Sequence, residues 1–560
     1  MKKITRIKSV LVAAIVGVIL LASMLPLTAL AANDALPPAT GNLTIHKYLM
    51  NDISGATTPG DGTTNVTLPS GATPLSGIEF KIYRITLPST GDVPDKADYP
   101  EPGYLFESYL NPTKMTSNGI DYALTPATVA SVTTGSTGAV TASNLPQGLY
   151  LVVEQPDVRV VSPAAPFVVA VPMTNVAGDG WLQDVHVYPK NEDVQIHKTT
   201  DKSVVNVGDL VNWTIQTGIP TDIAAYTKFD IKDLLDEALD LNLASVKVEG
   251  LLTENQVTGT DLPASTYTVT YAATATNATT YDGNNNVPRK ELKISFNKVD
   301  KFTMPGGTQV DVVTQDLAKY KFLRVTFTTN TNEKILDRVA FTVWNDAKVE
   351  FKNRFAQDKE RITEIVKHHT GKVIVQKIDS KSGVGVNVNG AKFKIASSEQ
   401  NAKDGIYLHV LRDAGGKVIK IVDSGKPGYN DAGMVDWEET TAGGTASTPA
   451  TASFAGLADY TEPSYEGTPR TYLSYWLVET QAPAGYNLLA GPVQATFTAG
   501  NSTASTSYTI SVTVKNTPKW NLPKTGGMGT ILFTVGGVSL VGAAIVLLVL
   551  SAKKKKQEAQ

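Results

Sequence analysis

Three lysines, three acids and three asparagines occupy positions where strand alternation turns them toward hydrocarbon. In "LTIHK", "VQIHK" and "VIVQK", Lys47 shares a face with Leu43 and Ile45, Lys198 with Val194 and Ile196, and Lys377 with Val373 and Val375. Asn191 follows Val185 and Val187 in the same phase, Asn345 follows Phe341 and Val343, and Asn516 follows Val512 and Val514. Glu154 is in phase with Tyr150 and Val152, Glu479 with Tyr475 and Leu477, and Asp233 with Phe229 and Ile231. An ammonium among apolar side chains is costly unless paired, and its usual escape is to lose its proton. A neutral amine is a nucleophile. Set against an Asn carboxamide, with a burial-raised carboxyl as proton shuttle, it can attack the side-chain carbonyl and expel ammonia. The product is an intramolecular isopeptide bond. The plainer alternative is that the lysines snorkel from strand ends and form ordinary salt bridges. Recurrence of Lys, acid and Asn in one order and phase favours the bond. In the middle triad Asn353 shares the face of Asn345, so two partners stand open for Lys198.

The elements that must position these groups are strands. The chain is rich in Thr, Val and Tyr, with alternating runs such as "YTVTY" and "TASTSYTISVTV" broken by Gly, Pro, Asn and Ser. This pattern predicts an all-β chain of three tandem β-sandwich domains, at 32–193, 194–366 and 367–520. The clearest helix pattern is "DLLDEALDLN", and "SGATTPGDGTTNVTLPSGATP" reads as loop. The first and third domains share "GIEFKI" with "GAKFKI" and "YLVVE" with "YWLVE", and each asparagine lies 37 residues after its acid. They read as two versions of one fold, and the middle domain as a different sandwich.

Composition narrows the function. With 0 cysteines, an exported chain has neither disulfides nor a thiolate to use. A net charge of -3, with basic runs only at the two ends, argues against nucleic acid as a partner. The 6 histidines have no metal-ligand spacing, so no metal or other cofactor is expected, and His368 and His369 fall in a linker. No Ser/His/Asp constellation or glycosidase-like acid pair stands out, which argues against a turnover enzyme. Residues 1–31 read as an export signal: Lys2, Lys3, Arg6 and Lys8 precede an apolar run, and small Ala29 and Ala31 follow. In the C-terminal segment 521–560, residues 531–550 are uncharged and long enough to cross a bilayer, with Lys553 to Lys556 as a cytoplasmic stop.

Just before that span stands "LPKTGG", and the order of pentapeptide, apolar span and basic tail resembles the cell-wall sorting signal of Gram-positive surface proteins. The resemblance covers Leu522, Pro523, Lys524, Thr525 and Gly526. It implies that a sortase cysteine attacks the Thr525 carbonyl, releases Gly526 onward and passes the acyl group to an amine. The triads in turn resemble the collagen-adhesin-type, immunoglobulin-like isopeptide domains of Gram-positive major pilins. "YWLVETQAPAGY" is similar to their E-box, which implies Glu479 as catalytic acid for Lys377 and Asn516. By the same analogy Asp233 serves Lys198 and Asn345, and Glu154 serves Lys47 and Asn191, although family members differ in whether the N-terminal domain cross-links. "VYPKN" resembles the pilin motif, whose lysine resolves the sortase acyl-enzyme. Lys190 of one subunit is then joined to Thr525 of the next, in a head-to-tail polymer of identical subunits. Lys515 also precedes an inward Asn but lacks the Tyr-Pro approach. The partners implied are a pilus-specific and a housekeeping sortase, a peptidoglycan precursor, and minor tip and base pilins. The competing reading is a monomeric wall-anchored adhesin that binds a host or interbacterial ligand.

Overall fold

The computed structural model describes residues 36–557 apart from segments at 51–59, 69–70, 95–104, 107–109, 162, 284, 304–308, 354–356, 386–387, 462–468 and 520–528. The export signal and "LPKTG" therefore lie outside the described residues. The chain divides into two compact units. One comprises Met1–Ser203, Asp209–Lys334 and Thr342–His368, and the other Val204–Gly208, Ile335–Phe341 and His369–Gln560. The first unit contains two sets of sheets that share no strand pairing among the described residues.

In the first set, Thr40–His46 lies between Ala139–Pro146, antiparallel, and Asp184–Val187, parallel. A second sheet carries Phe167–Val171, Gly148–Glu154, Glu79–Thr86 and Ile120–Thr133 in that order. Leu43, Ile45, Ala142 and Val185 of one sheet pack against Phe80, Ile82, Tyr150 and Val152 of the other in one core. Burial alternates along Thr40–His46 as a half-buried strand requires. The same plan recurs in the second unit. Gly371–Asp379 lies between antiparallel Ala450–Leu457 and parallel Thr509–Asn516, while Lys392–Ala396 and Ser474–Gln481 pair in another sheet. Phe80 is registered with Glu154, and Phe393 with Glu479, so the two repeated sequence pairs hold equivalent places.

The middle set is wired differently. Ile196–Thr200 pairs antiparallel with Leu210–Gly218 in one sheet, and Lys228–Asp236 pairs with Ala347–Lys352 in another. Here "DLLDEALDLN" is not a helix. It forms the end of Lys228–Asp236 and the start of Leu239–Leu251, because pairing with Val287–Phe296, Ala347–Lys352 and Phe322–Thr331 outweighs helix propensity. His368 and His369 are likewise core residues. His368 bonds Thr331 Oγ1 at 3.1 Å, and His369 bonds Asp459 at 3.0 Å while stacking on Tyr508.

One glycine bears directly on Lys47. Gly138 has φ 74°, its carbonyl accepts from Lys47 N at 2.8 Å, and a Cβ on it would stand 2.5 Å from Lys47 O. Gly138→Ala is expected to destabilise the first sandwich by about 1–3 kcal/mol. Gly60→Ala, in open space, is the control. Denaturant midpoints of the two variants test this, and equal midpoints would refute it.

A helix spans Gly529–Gln557, and its Ile531–Lys556 stretch is long and apolar enough to cross a membrane. It continues through Lys553–Lys556 instead of stopping before them, since lysine is a good helix former.

Candidate functional site

The last strand of each repeated sandwich delivers its asparagine to the same place. Leu49 is registered with Asn191 on a parallel neighbour, and Asp379 with Asn516, so each asparagine pairs two residues beyond the buried lysine. The acid comes from a different sheet.

In the first sandwich Lys47, Glu154 and Asn191 are all buried. Lys47 Nζ donates to Glu154 Oε2 at 2.7 Å and also to Asn191 Oδ1, and Asn191 Nδ2 donates to Glu154 Oε1 at 2.5 Å. The Ala164 N–H reaches both Glu154 Oε2, at 3.1 Å, and Asn191 Oδ1, at 2.9 Å. In the third, Lys377 Nζ is 2.9 Å from Glu479 Oε1 and donates to Asn516 Oδ1. Asn516 Nδ2 donates to Glu479 Oε1 at 2.9 Å and to the Asn487 carbonyl at 3.0 Å, and Leu489 N–H donates to Glu479 Oε2 at 3.0 Å. Ala164 and Leu489 each lie 10 residues after their acid. That backbone donor was open to counting along the sequence repeat but is invisible to side-chain parity.

These environments set the proton inventory. Burial pushes the Lys47 and Lys377 amines below the ordinary lysine value, opposed in part by Glu154 and Glu479. Each amine also meets an aromatic ring: Lys47 lies over Phe80 and Lys377 over Phe393, 5.8 and 5.2 Å from the centroids, and Lys47 Nζ donates to the Pro189 carbonyl at 3.4 Å. In both of these triads the carboxamide oxygen accepts from the amine, and its nitrogen donates to a carboxylate that can relay a proton to it.

The middle sandwich brings Lys198 and Asp233 together from its two sheets, both fully enclosed. Burial lowers the lysine's pKa and raises that of the acid. Asn345 lies two residues before Ala347, which is registered with Asp233, and shares its face. Among the described residues its buried carboxamide has no hydrogen-bond partner on either atom, and Asp233 Oδ1 also has none. An unsatisfied buried amide costs about 1–3 kcal/mol, so the site is under pressure to change. Asn353 is placed elsewhere. It lies six residues beyond Ala347, about 20 Å along the strand at ~3.3 Å per residue. There its amide donates to Val161 O at 3.3 Å and accepts from Gln357 N–H at 3.1 Å.

Lys190 opens the short strand Lys190–Glu192, beside Tyr48, while its neighbour Asn191 is fully buried. Lys190 is partly covered. That cover lowers the Lys190 pKa. Lys515 is exposed. Thr525 and the other sorting-motif residues lie outside the described residues.

Paired sheets braced at their ends by amine, carboxamide and carboxyl, followed by one membrane-length helix with a basic end, define a tethered surface β-protein. Comparison with known proteins narrows the class. Residues 38–192 match the model of the Gram-positive pilin subunit D1, N-terminal domain, and residues 515–558 that of the LPXTG cell wall anchor motif. The chain is similar to fimbrial subunit type 2 of Actinomyces naeslundii, 27% identical over 534 residues that cover 90% of this chain and 88% of that one. Fimbrial subunit type 1 of Actinomyces viscosus is also 27% identical, over 91% of this chain and 90% of its own. Among solved structures, the full-length major pilin SpaD from Corynebacterium diphtheriae is 22% identical, with 86% of this chain and 98% of that chain covered at a TM-score of 0.49. The pilin domain, the LPXTG anchor motif and the fimbrial relatives together support a Gram-positive major pilin. It is a structural subunit of a cell-wall-anchored surface fimbria, not an enzyme.

Proposed function

We propose that this pilin polymerises through Lys190 and Thr525 and that three intradomain Lys–Asn isopeptide bonds brace its three sandwiches. The sortase cysteine adds to the Thr525 carbonyl, the Thr525–Gly526 bond breaks, and Gly526 leaves as a free amine. Neutral Lys190 Nζ of another subunit then attacks the thioester, and the thiolate leaves. A housekeeping sortase transfers the finished fibre to a peptidoglycan precursor, with minor pilins at tip and base.

The internal bonds form without an external enzyme. Nζ of Lys47, Lys198 or Lys377 bonds to Cγ of Asn191, Asn345 or Asn516. The carboxyl of Glu154, Asp233 or Glu479 carries the amine's proton to Nδ2, which departs as ammonia. What carries this reading is the third sandwich, where an enclosed carboxamide is held between an amine and a carboxylate. The Lys198–Asn345 pairing rests on register and on the unpartnered carboxamide.

Tandem mass spectrometry of tryptic peptides from native fibres tests all four bonds together. Expected are a branched peptide joining Lys190 to Thr525 and three internal branched peptides, each lighter by one ammonia than the sum of its parts. Linear peptides containing unmodified Lys377 and Asn516 would overturn the internal chemistry. Boiled extracts that hold only free subunit would support the monomeric adhesin.

A further inference from the structure

The middle sandwich carries a buried cation that the reaction described above does not use. Arg289 is 1% exposed, and its guanidinium donates to four backbone carbonyls: Leu234 O at 3.0 Å, Trp344 O at 2.9 Å, Asn285 O at 3.0 Å and Ala278 O at 3.2 Å. Two of these carbonyls have a special address. Leu234 directly follows Asp233, and Trp344 directly precedes Asn345. One rigid fork thus grips the chain beside the acid and beside the carboxamide, where the strand pairing between them has ended at Ala347.

We infer that Arg289 is the positioning residue of the middle cross-link: it fixes the Asn345 carboxamide against Asp233 and Lys198 and supplies the buried positive charge that tunes their protonation. The inference rests on the proposed Lys198–Asn345 bond. In the other two sandwiches the asparagine is pinned by parallel pairing with the strand beside the lysine and by a hydrogen bond from its amide to the acid. Among the described residues the strand Thr342–Asn345 pairs with Val366–His369 and not with the lysine's strand, and the Asn345 amide has no hydrogen bond to Asp233, so the arginine takes over the task.

Charge supports the assignment. The titratable groups around the site are Lys198, Asp233 and Asp236 on their strands, Asp346 beside Asn345, Tyr271, Tyr281 and His368. Asp346 accepts from the N–H groups of Tyr281 and Asp282, at 3.1 Å each. When Lys198 becomes an amide and Asp233 holds its proton, Arg289 and Asp346 remain as opposite buried charges. The cation also lowers the proton affinity of both Lys198 and Asp233. Removing it should therefore move both the acid and the alkaline limb of the reaction's pH profile upward.

The test follows bond formation in newly synthesised full-length chain across a range of pH, with the Lys47–Asn191 and Lys377–Asn516 bonds of the same molecule as internal controls. In Arg289→Gln the Lys198–Asn345 branched peptide should form about a hundredfold more slowly, as for a reacting group about an ångström out of place, with its profile shifted to higher pH. Arg289→Lys restores charge without the fork, so it should remain slow but keep the wild-type profile. Wild-type rates in Arg289→Gln, or slowing without a profile shift, overturn the inference. If Arg289→Gln is degraded by trypsin in its middle sandwich, Arg289→Lys decides, and a wild-type rate there overturns it. Absence of the Lys198–Asn345 peptide from the wild-type chain would sink the bond itself, an outcome distinct from these.

Discussion

Replacing Lys190 by arginine is expected to collapse the high-mass ladder in boiled SDS extracts of the cell wall to a single band of free subunit. Arginine keeps the charge, the length and the outward parity of the side chain. It does not keep the chemistry, because a guanidinium with a pKa above about 12 offers no neutral amine to a thioester. Lys190 is better placed than an ordinary surface lysine, since partial burial beside Tyr48 lowers its pKa and enlarges the neutral fraction at any given pH. The effect should be all-or-none, whereas Lys515→Arg should leave the ladder intact. A persisting ladder in Lys190→Arg would falsify the assignment of the acceptor, and loss of the ladder in Lys515→Arg would transfer it.

Much of this arrangement was legible because strand parity is a local rule. Lys47 lies 107 residues from Glu154 and 144 from Asn191, yet alternation with Leu43, Ile45, Tyr150 and Val185 is enough to say that each points inward. The shared "EFKI" and "KFKI" strands put Phe80 opposite Glu154 and Phe393 opposite Glu479. Parity fails where distance along the strand matters as much as face. Asn345 and Asn353 share a face, and only the register of Ala347 on Asp233 separates them. Parity also says nothing of backbone donors such as Ala164 and Leu489, nor of Arg289, which donates to backbone carbonyls. The failure at "DLLDEALDLN" has a similar origin. Its leucines and acids satisfy helical spacing, but Asp233 and Leu235 also satisfy period two, and partner strands on both sides decide between the two readings.

Removing the third bond should be felt most in the wrong direction when its acid, not its amine, is deleted. Lys377→Met loses a cross-link that closes a loop of 139 residues, worth about 5 kcal/mol on loop-closure arithmetic. For a domain of this size the third sandwich should melt roughly 10–20 °C lower. Glu479→Ala loses the same bond and also strands an enclosed Lys377 ammonium without its counter-ion, so its melting point should fall further still. The two variants also differ in pH dependence. Burial holds the folded Lys377 pKa below the ordinary value of 10.5. Between those two values the unfolded chain binds more protons, so the stability of Glu479→Ala rises with pH through that window and is lost as pH falls below it. Lys377→Met has no such group, and the proposed cross-link turns the wild-type amine into an amide, so neither should show this slope. Calorimetry of the full chain over a pH series separates the cases. Equal melting points for the two variants, or an alkaline gain in Lys377→Met, would mean that Lys377 and Glu479 form a solvated pair instead of reacting with Asn516.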